Sequence, residues 1–306
     1  MNVLVVGAGA IGGYFGGRLL EKNIDVTFLV RERRRKQLVE HGLIIESVNG
    51  NASFMPKTIV TGENADHFDV IILSTKAYHL DGAIQDIQPY VTEGTVIMPL
   101  LNGISHIQKL SDVFGEENVI GGLCSIESTL DKEGKILQTS PLNNLVFGEL
   151  SGERSKRILK MEEMFSGTKV NYKLSENVNQ DLWHKYLFIT TMSGITTLMR
   201  SPIGPIRDEE SGRETLKWLL KEIISVMNLV HAPIAENIED IQLKQIEGLG
   251  YTMKTSMQRD MEKLMPVEAD HLQGYLLGIA RKEGLSVPIL QAVYANLKIY
   301  EEQLSK

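Results

Sequence analysis

The chain has 306 residues, 42% of them hydrophobic and 23% charged, with a net charge of −7. At that length one core is stretched and two domains are expected, while an acidic balance without a basic stripe argues against nucleic acid as a partner. A single cysteine, Cys124, allows no internal disulfide and no metal site of the usual spacing. No apolar run approaches the roughly 20 residues that span a bilayer. A strand that starts within two residues of Met1 leaves no room for a signal peptide, so a cytoplasmic setting is expected.

The first apolar run, Val3–Val6, leads into Gly7-Ala8-Gly9-Ala10-Ile11-Gly12 and a helical stretch, Gly12–Lys22, before a second run at Val26–Val30. A strand, a glycine turn and a helix in that order form a dinucleotide cradle. Gly7 permits the tight turn, Gly9 lets backbone amides approach a pyrophosphate, and Gly12 lets helix and strand pack closely. The helix N-terminus then faces the phosphate charge. An acidic residue normally follows the second strand to meet the ribose hydroxyls, but here the strand ends on Arg31. Four arginines surround one acid in Arg31-Glu32-Arg33-Arg34-Arg35, which suits a ribose 2′-phosphate and hence NADP(H). The competing readings are a solvated run that opens a surface helix, or Glu32 turning to an NAD ribose.

Further runs at Val70–Ser74 and Thr95–Met98 read as buried parallel strands, and Gly103–Phe114 as a helix. Strands follow at Val119–Thr129, Lys135–Thr139 and Asn144–Gly148, and the turn Lys132-Glu133-Gly134-Lys135 makes this end of the sheet antiparallel or mixed. Beyond Val170 the pattern turns helical, with segments at Asn179–Met199, Arg213–Leu229, Ile238–Glu262, Val267–Glu283 and Val287–Gln303. Prolines fall between these segments or near their starts. The expected architecture is an α/β Rossmann-type dinucleotide-binding domain over residues 1–172 and an all-helical domain over 173–306. The second is expected to hold substrate, and its apolar helical surface can support a homodimer.

Leu73-Ser74-Thr75-Lys76-Ala77, Pro99-Leu100-Leu101-Asn102-Gly103, Asp181-Leu182-Trp183-His184-Lys185, Ser256-Met257-Gln258-Arg259-Asp260 and Pro266-Val267-Glu268 complete the set. In order and spacing, these motifs and the opening glycines resemble the ketopantoate reductase family across nearly the whole chain. The resemblance implies NADPH-dependent reduction of a 2-oxo acid, with ketopantoate to pantoate as the named reaction. It places Gly7, Gly9 and Gly12 at the pyrophosphate, along with the intervening Ala8, Ala10 and Ile11. Arg31 and Lys76 fall near the adenosine phosphate, and Asn102 near nicotinamide and substrate. Lys185 matches the catalytic lysine, Ser256 a serine that binds the substrate carboxylate, and Glu268 a glutamate near the reacting centre and cofactor.

The chemistry fits those residue types. Hydride addition to a ketone leaves charge on oxygen, which a cation can stabilise and protonate. Burial lowers a lysine's pKa while a nearby carboxylate raises it, so Lys185 and Glu268 would be an opposed pair. Each residue also has a plainer role open to it. Lys185 can snorkel from an amphipathic helix, Glu268 can favour a helix dipole, Lys76 can be an exposed strand-end lysine, and Asn102 can serve turn chemistry. His184 and the other histidines read as structural.

The family places asparagines four and eight residues after the lysine, on one side of a helix. Here those positions hold Ile189 and Ser193. The change leaves reduction intact and points toward a less polar 2-oxo acid, unless Thr190, Thr191 or another helix supplies the contacts. A third reading, a regulatory protein that binds NADPH without catalysis, needs neither Lys185 nor Glu268.

Overall fold

The computed structural model describes residues 1–304. It comprises two compact units, one formed by Met1–Leu101 with His106–Val178 and the other by Asn102–Ser105 with the chain from Asn179 onward.

The first unit opens with β1 (Asn2–Val6), α1 (Gly12–Glu21), β2 (Asp25–Leu29), α2 (Glu32–His41), β3 (Leu43–Ser47), β4 (Ala52–Phe54), β5 (Lys57–Ile59), β6 (Val70–Leu73), α3 (Leu80–Ile87), β7 (Val96–Pro99) and α4 (Ser105–Phe114). Five of these strands pair in parallel in the order β5-β2-β1-β6-β7. Alternation along β1 feeds two cores. Val3 and Val5 pack with Phe15 and Leu19 of α1 in one cluster, and Leu4 and Val6 with Leu80 and Ile84 of α3 in another. The chain leaves β1 toward β2 on one side and later returns to β6 on the other. The strand order therefore reverses at β1, where open α/β sheets receive ligands beyond their carboxyl ends.

The antiparallel or mixed pairing expected near residue 132 is present, but in a second sheet rather than at the end of the first. β8 (Gly121–Leu130) and β9 (Ile136–Gly148) form its hairpin, α5 (Lys156–Phe165) follows, and β10 (Asn171–Leu174) pairs with β9. The order is β10-β9-β3-β4 with β8 on the other side of β9. The two strands expected at 135–139 and 144–148 are one continuous β9. Because β10 pairs with β9, the first unit extends through Val178, past the expected boundary at 172.

The second unit is helical: α6 (Val178–Met199), α7 (Ile203–Asp208), α8 (Glu210–Leu229), α9 (Ile238–Glu247), α10 (Ser256–Glu262), a π-helical turn at Asp270–Gly274 that runs into α11 (Tyr275–Lys282), and α12 (Pro288–Leu304). Apolar and small polar side chains on every face of α6 are buried, which makes it the central helix of this unit. The single helix expected over 238–262 is two. The first stops at Gly248, and the second starts afresh on Thr255, whose hydroxyl accepts from the Gln258 amide at 3.2 Å. Among the described residues no helix is long and apolar enough to cross a membrane, and no cluster of metal-binding side chains is present.

Candidate active site

The glycine turn adopts the geometry its residues permit. Gly7 has φ +92°, and its amide donates to the Leu29 carbonyl at 2.9 Å, which ties the turn to β2. A Cβ at Gly12 would run into the Gly7 carbonyl and the Ser74 hydroxyl, so glycine is required there for packing. A Cβ at Gly9 would meet nothing within 4 Å. Gly9 therefore leaves an open approach to the backbone, while Ala8, Ala10 and Ile11 supply the chain around it. Ile11 precedes α1 without a side-chain cap, and no acid stands in the first turn. The positive end of α1 is thus left for an anion.

Arg31 and Lys76 follow β2 and β6, the two neighbours of β1, and a side-chain bond joins their segments. Arg31 reaches His79 Nδ1 at 3.4 Å, and the His79 amide donates to the Lys76 carbonyl at 2.9 Å. Burial and then the Arg31 charge hold the His79 imidazole below its ordinary pKa, which favours the neutral ring that accepts this bond. The rest of the arginine run divides by role. Arg35 pairs with Glu63 at 2.6 Å, and Arg34 Nε donates to the Ala8 carbonyl at 3.0 Å. Two buried polar atoms beside the turn have no partner among the described residues: Arg34 Nη2 and Thr75 Oγ1. Their orphaned state, the open Gly9 and the uncapped α1 fit the phosphates of a dinucleotide. Neither Arg34 nor Thr75 is legible in the sequence, since nothing in the spacing separates either from its neighbours.

In the helical unit α6 is the common support. Lys185, Ile189 and Ser193 share one side of it; the first two are half-buried and Ser193 is buried. Side-chain contacts dock other segments on α6. The Tyr186 hydroxyl donates to the Leu272 carbonyl at 2.6 Å, and burial pushes its phenol well above the ordinary pKa, so it remains a donor. Gln273 Nε2 donates to Ser193 Oγ at 2.8 Å and to the Thr190 carbonyl at 3.3 Å. Thr196 spends its proton on the Met192 carbonyl at 2.7 Å, so the Thr255 hydroxyl is the donor in their 3.0 Å contact.

These contacts decide where the expected residues stand. Glu268, buried, precedes the turn that Tyr186 and Gln273 hold, and its carbonyl accepts the Leu272 amide at 3.0 Å. Ser256, exposed, is the first residue of the helix that Thr255 caps. Asn102 belongs to this unit as well, through a 2.6 Å bond between its carbonyl and His271 Nε2. The structure thus gathers Asn102, Lys185, Ile189, Ser193, Ser256 and Glu268 in one unit, and the glycines, Arg31 and Lys76 in the other. The contacts of Gln273 and His271 were not legible in the sequence, where both read as ordinary helical positions. His184 is structural, as expected: it accepts the Ala235 amide at 3.0 Å. A cavity of about 390 Å³ between α7, α8 and α9 holds none of these residues, and its Arg207 is spent on the Ile246 and Glu247 carbonyls.

Comparison with known proteins agrees over the whole length. Models of two domains described as Ketopantoate reductase PanE/ApbA and Ketopantoate reductase PanE/ApbA C terminal match residues 3–152 and 177–301. The Uncharacterized oxidoreductase YkpB of Bacillus subtilis (strain 168) is 46% identical over 303 residues, covering 99% of this chain and 100% of that one. The crystal structure of 2-dehydropantoate 2-reductase from Geobacter metallireducens GS-15 superposes with a TM-score of 0.87 at 25% identity, covering 98% of this chain and 99% of that one. A ternary structure of D-mandelate dehydrogenase with NADH and anilino(oxo)acetate superposes with a TM-score of 0.88, covering 100% of both chains; at 21% identity that likeness is one of fold.

Proposed function

Because the chain belongs to the ketopantoate reductase family of oxidoreductases, we propose that it reduces a 2-oxo acid to a 2-hydroxy acid with NADPH. The leading named reaction is ketopantoate to (R)-pantoate, a step toward pantothenate and coenzyme A, in the cytoplasm. The observation that carries this reading is the assembly of Asn102, Lys185, Ser256 and Glu268 in one unit while the glycine turn, Arg31 and Lys76 assemble in the other. NADPH is preferred to NADH because Arg31 and Lys76 offer two cations where an acid would meet an unphosphorylated ribose.

A bound reduced nicotinamide would supply the hydride. Gly7 to Gly12 and the α1 N-terminus would hold its pyrophosphate, and Arg31 and Lys76 the 2′-phosphate. The Ser256 hydroxyl holds the substrate carboxylate and Asn102 fixes the reacting face. As the carbonyl carbon gains hydride, the π electrons move to oxygen, and Lys185 Nζ stabilises that oxygen and gives it a proton. Glu268 favours the charged form of Lys185 before the transfer.

The fold does not choose the 2-oxo acid, since the same fold serves D-mandelate dehydrogenase. Ile189 favours a second reading, a less polar substrate. It puts a hydrocarbon one turn from Lys185, and Ser193 one turn further is already engaged by Gln273. The test is NADPH consumption with ketopantoate against its 4-deoxy analogue, in wild type and Ile189→Asn. A preference for the deoxy analogue that Ile189→Asn shifts toward ketopantoate by about 2- to 13-fold, one hydrogen bond, establishes the second reading. A preference for ketopantoate already present in the wild type establishes the first. No turnover of either, with NADPH still bound, reopens the substrate class and favours a regulatory protein that binds NADPH without catalysis.

A further inference from the structure

Residues 102–105 lie between β7 and α4 along the chain, yet they pack with the helical unit. The side chain that joins them to it is His271, three residues after Glu268. Its Nε2 lies 2.6 Å from the Asn102 carbonyl, and its Nδ1 lies 3.3 Å from Ser105 Oγ. A carbonyl only accepts, so Nε2 carries the proton; in the neutral ring Nδ1 then accepts from the Ser105 hydroxyl. One imidazole thus grips both ends of the turn. Gly103 between them has φ +87°, and a Cβ there would come within 2.6 Å of His271 Nε2. The ring leaves room for glycine alone.

We propose that His271 is the positioning residue for Asn102. It carries the turn at a fixed offset from Glu268, so that the Asn102 amide and the Glu268 carboxylate keep one geometry toward the 2-oxo acid. The inference rests on the assignment of Asn102 to the nicotinamide and substrate. In this role His271 acts through the backbone of Asn102. Its opposite side is secured too, because neighbouring Leu272 and Gln273 bond to α6 through Tyr186 and Ser193, so the offset extends to the helix that carries Lys185. A shift of about 1 Å at such a group costs on the order of 100-fold in rate.

The three substitutions His271→Gln, His271→Asn and His271→Leu separate the donor from mere packing. A glutamine amide nitrogen reaches the place of Nε2 and keeps the bond to Asn102. An asparagine amide reaches only the place of Nδ1, and leucine reaches neither with a polar atom. The measurements are kcat, KM and the NADPH dissociation constant for each, beside a long-range proton–nitrogen NMR spectrum of the wild-type imidazole. The expected spectrum shows a ring protonated on Nε2. His271→Gln is expected to keep kcat within about 3-fold, while His271→Asn and His271→Leu lose about 10- to 100-fold, with NADPH affinity unchanged. A neutral ring protonated on Nδ1 overturns the proposal without any variant. A leucine variant with wild-type kcat, or a folded glutamine variant as slow as leucine, overturns it as well. Wild type that reduces no 2-oxo acid fails at the first step, which marks the failure as that of the function rather than of His271.

Discussion

An alanine at Gly9 would direct its methyl into open space, while one at Gly12 would collide with the Gly7 carbonyl and the Ser74 hydroxyl. Two glycines of one turn therefore have separable roles, one toward a ligand and one toward the fold. Gly9→Ala should leave the folding free energy within about 0.5 kcal/mol of wild type. It should weaken NADPH about 10- to 100-fold, as expected if one bond to a charged pyrophosphate is lost. Gly12→Ala should cost about 1–3 kcal/mol of stability through overpacking. Chemical denaturation and NADPH titration of the two variants check this, and a Gly9→Ala protein that binds NADPH like wild type would contradict the assignment. The glycines were legible in the sequence because their role lies in their own backbone. Arg34, His271 and Gln273 were not, because each acts through a partner far away in sequence, and Thr75 was not, because the burial of its unpartnered hydroxyl shows only in the folded chain.

At the scale of elements, the turn Asp270–Gly274 is the piece on which Glu268 and His271 depend. A π-helical turn departs from the ordinary ladder and needs outside support. α12 gives it: Tyr294 donates to Asp270 Oδ1 at 2.6 Å, and Lys298 lies 3.0 Å from Oδ2. Burial pushes the Asp270 carboxyl up, but these two bonds and the Lys298 charge outweigh it and hold the pKa below its ordinary value. A depressed carboxylate contributes stability in full above its unfolded pKa of about 3.9, and the contribution disappears as pH falls through the folded value. The stability gap between wild type and Asp270→Asn should therefore be largest near neutrality and close below about pH 4. Denaturation midpoints across that range read it, and a gap of constant size would show that the pair contributes nothing through charge.

The same scale separates what local pattern reveals from what it hides. β1, β2, β6 and β7 stood out because buried parallel strands are continuous apolar runs. In the second sheet the β8–β9 hairpin stood out as well, but short β3 and β4 did not, because they gain their place from β9, far along the chain. The break between α9 and α10 was masked by apolar spacing that continues across it. Gly248 and Gly250 were the signal for a stop.

For the molecule as a whole, the division of labour is the central statement. The candidate cofactor residues other than Asn102 and Glu268 lie in the α/β unit, and the candidate lysine, serine and glutamate lie in the helical unit. Since effects at separate sites add, disabling Lys185 should not disturb the glycine turn. The family and the two-part architecture were legible from the order of the motifs. The support beneath them, with α6 at its centre, required tertiary contacts. The most direct measurement is NADPH oxidation by the purified protein on addition of a 2-oxo acid, wild type beside Lys185→Ala, with NADPH titrated into both. The wild type is expected to form 2-hydroxy acid in step with the NADPH it oxidises. Lys185→Ala is expected to lose about 100- to 10,000-fold in kcat, with NADPH affinity within about 2-fold. A Lys185→Ala protein that turns over like wild type would contradict the role of this lysine.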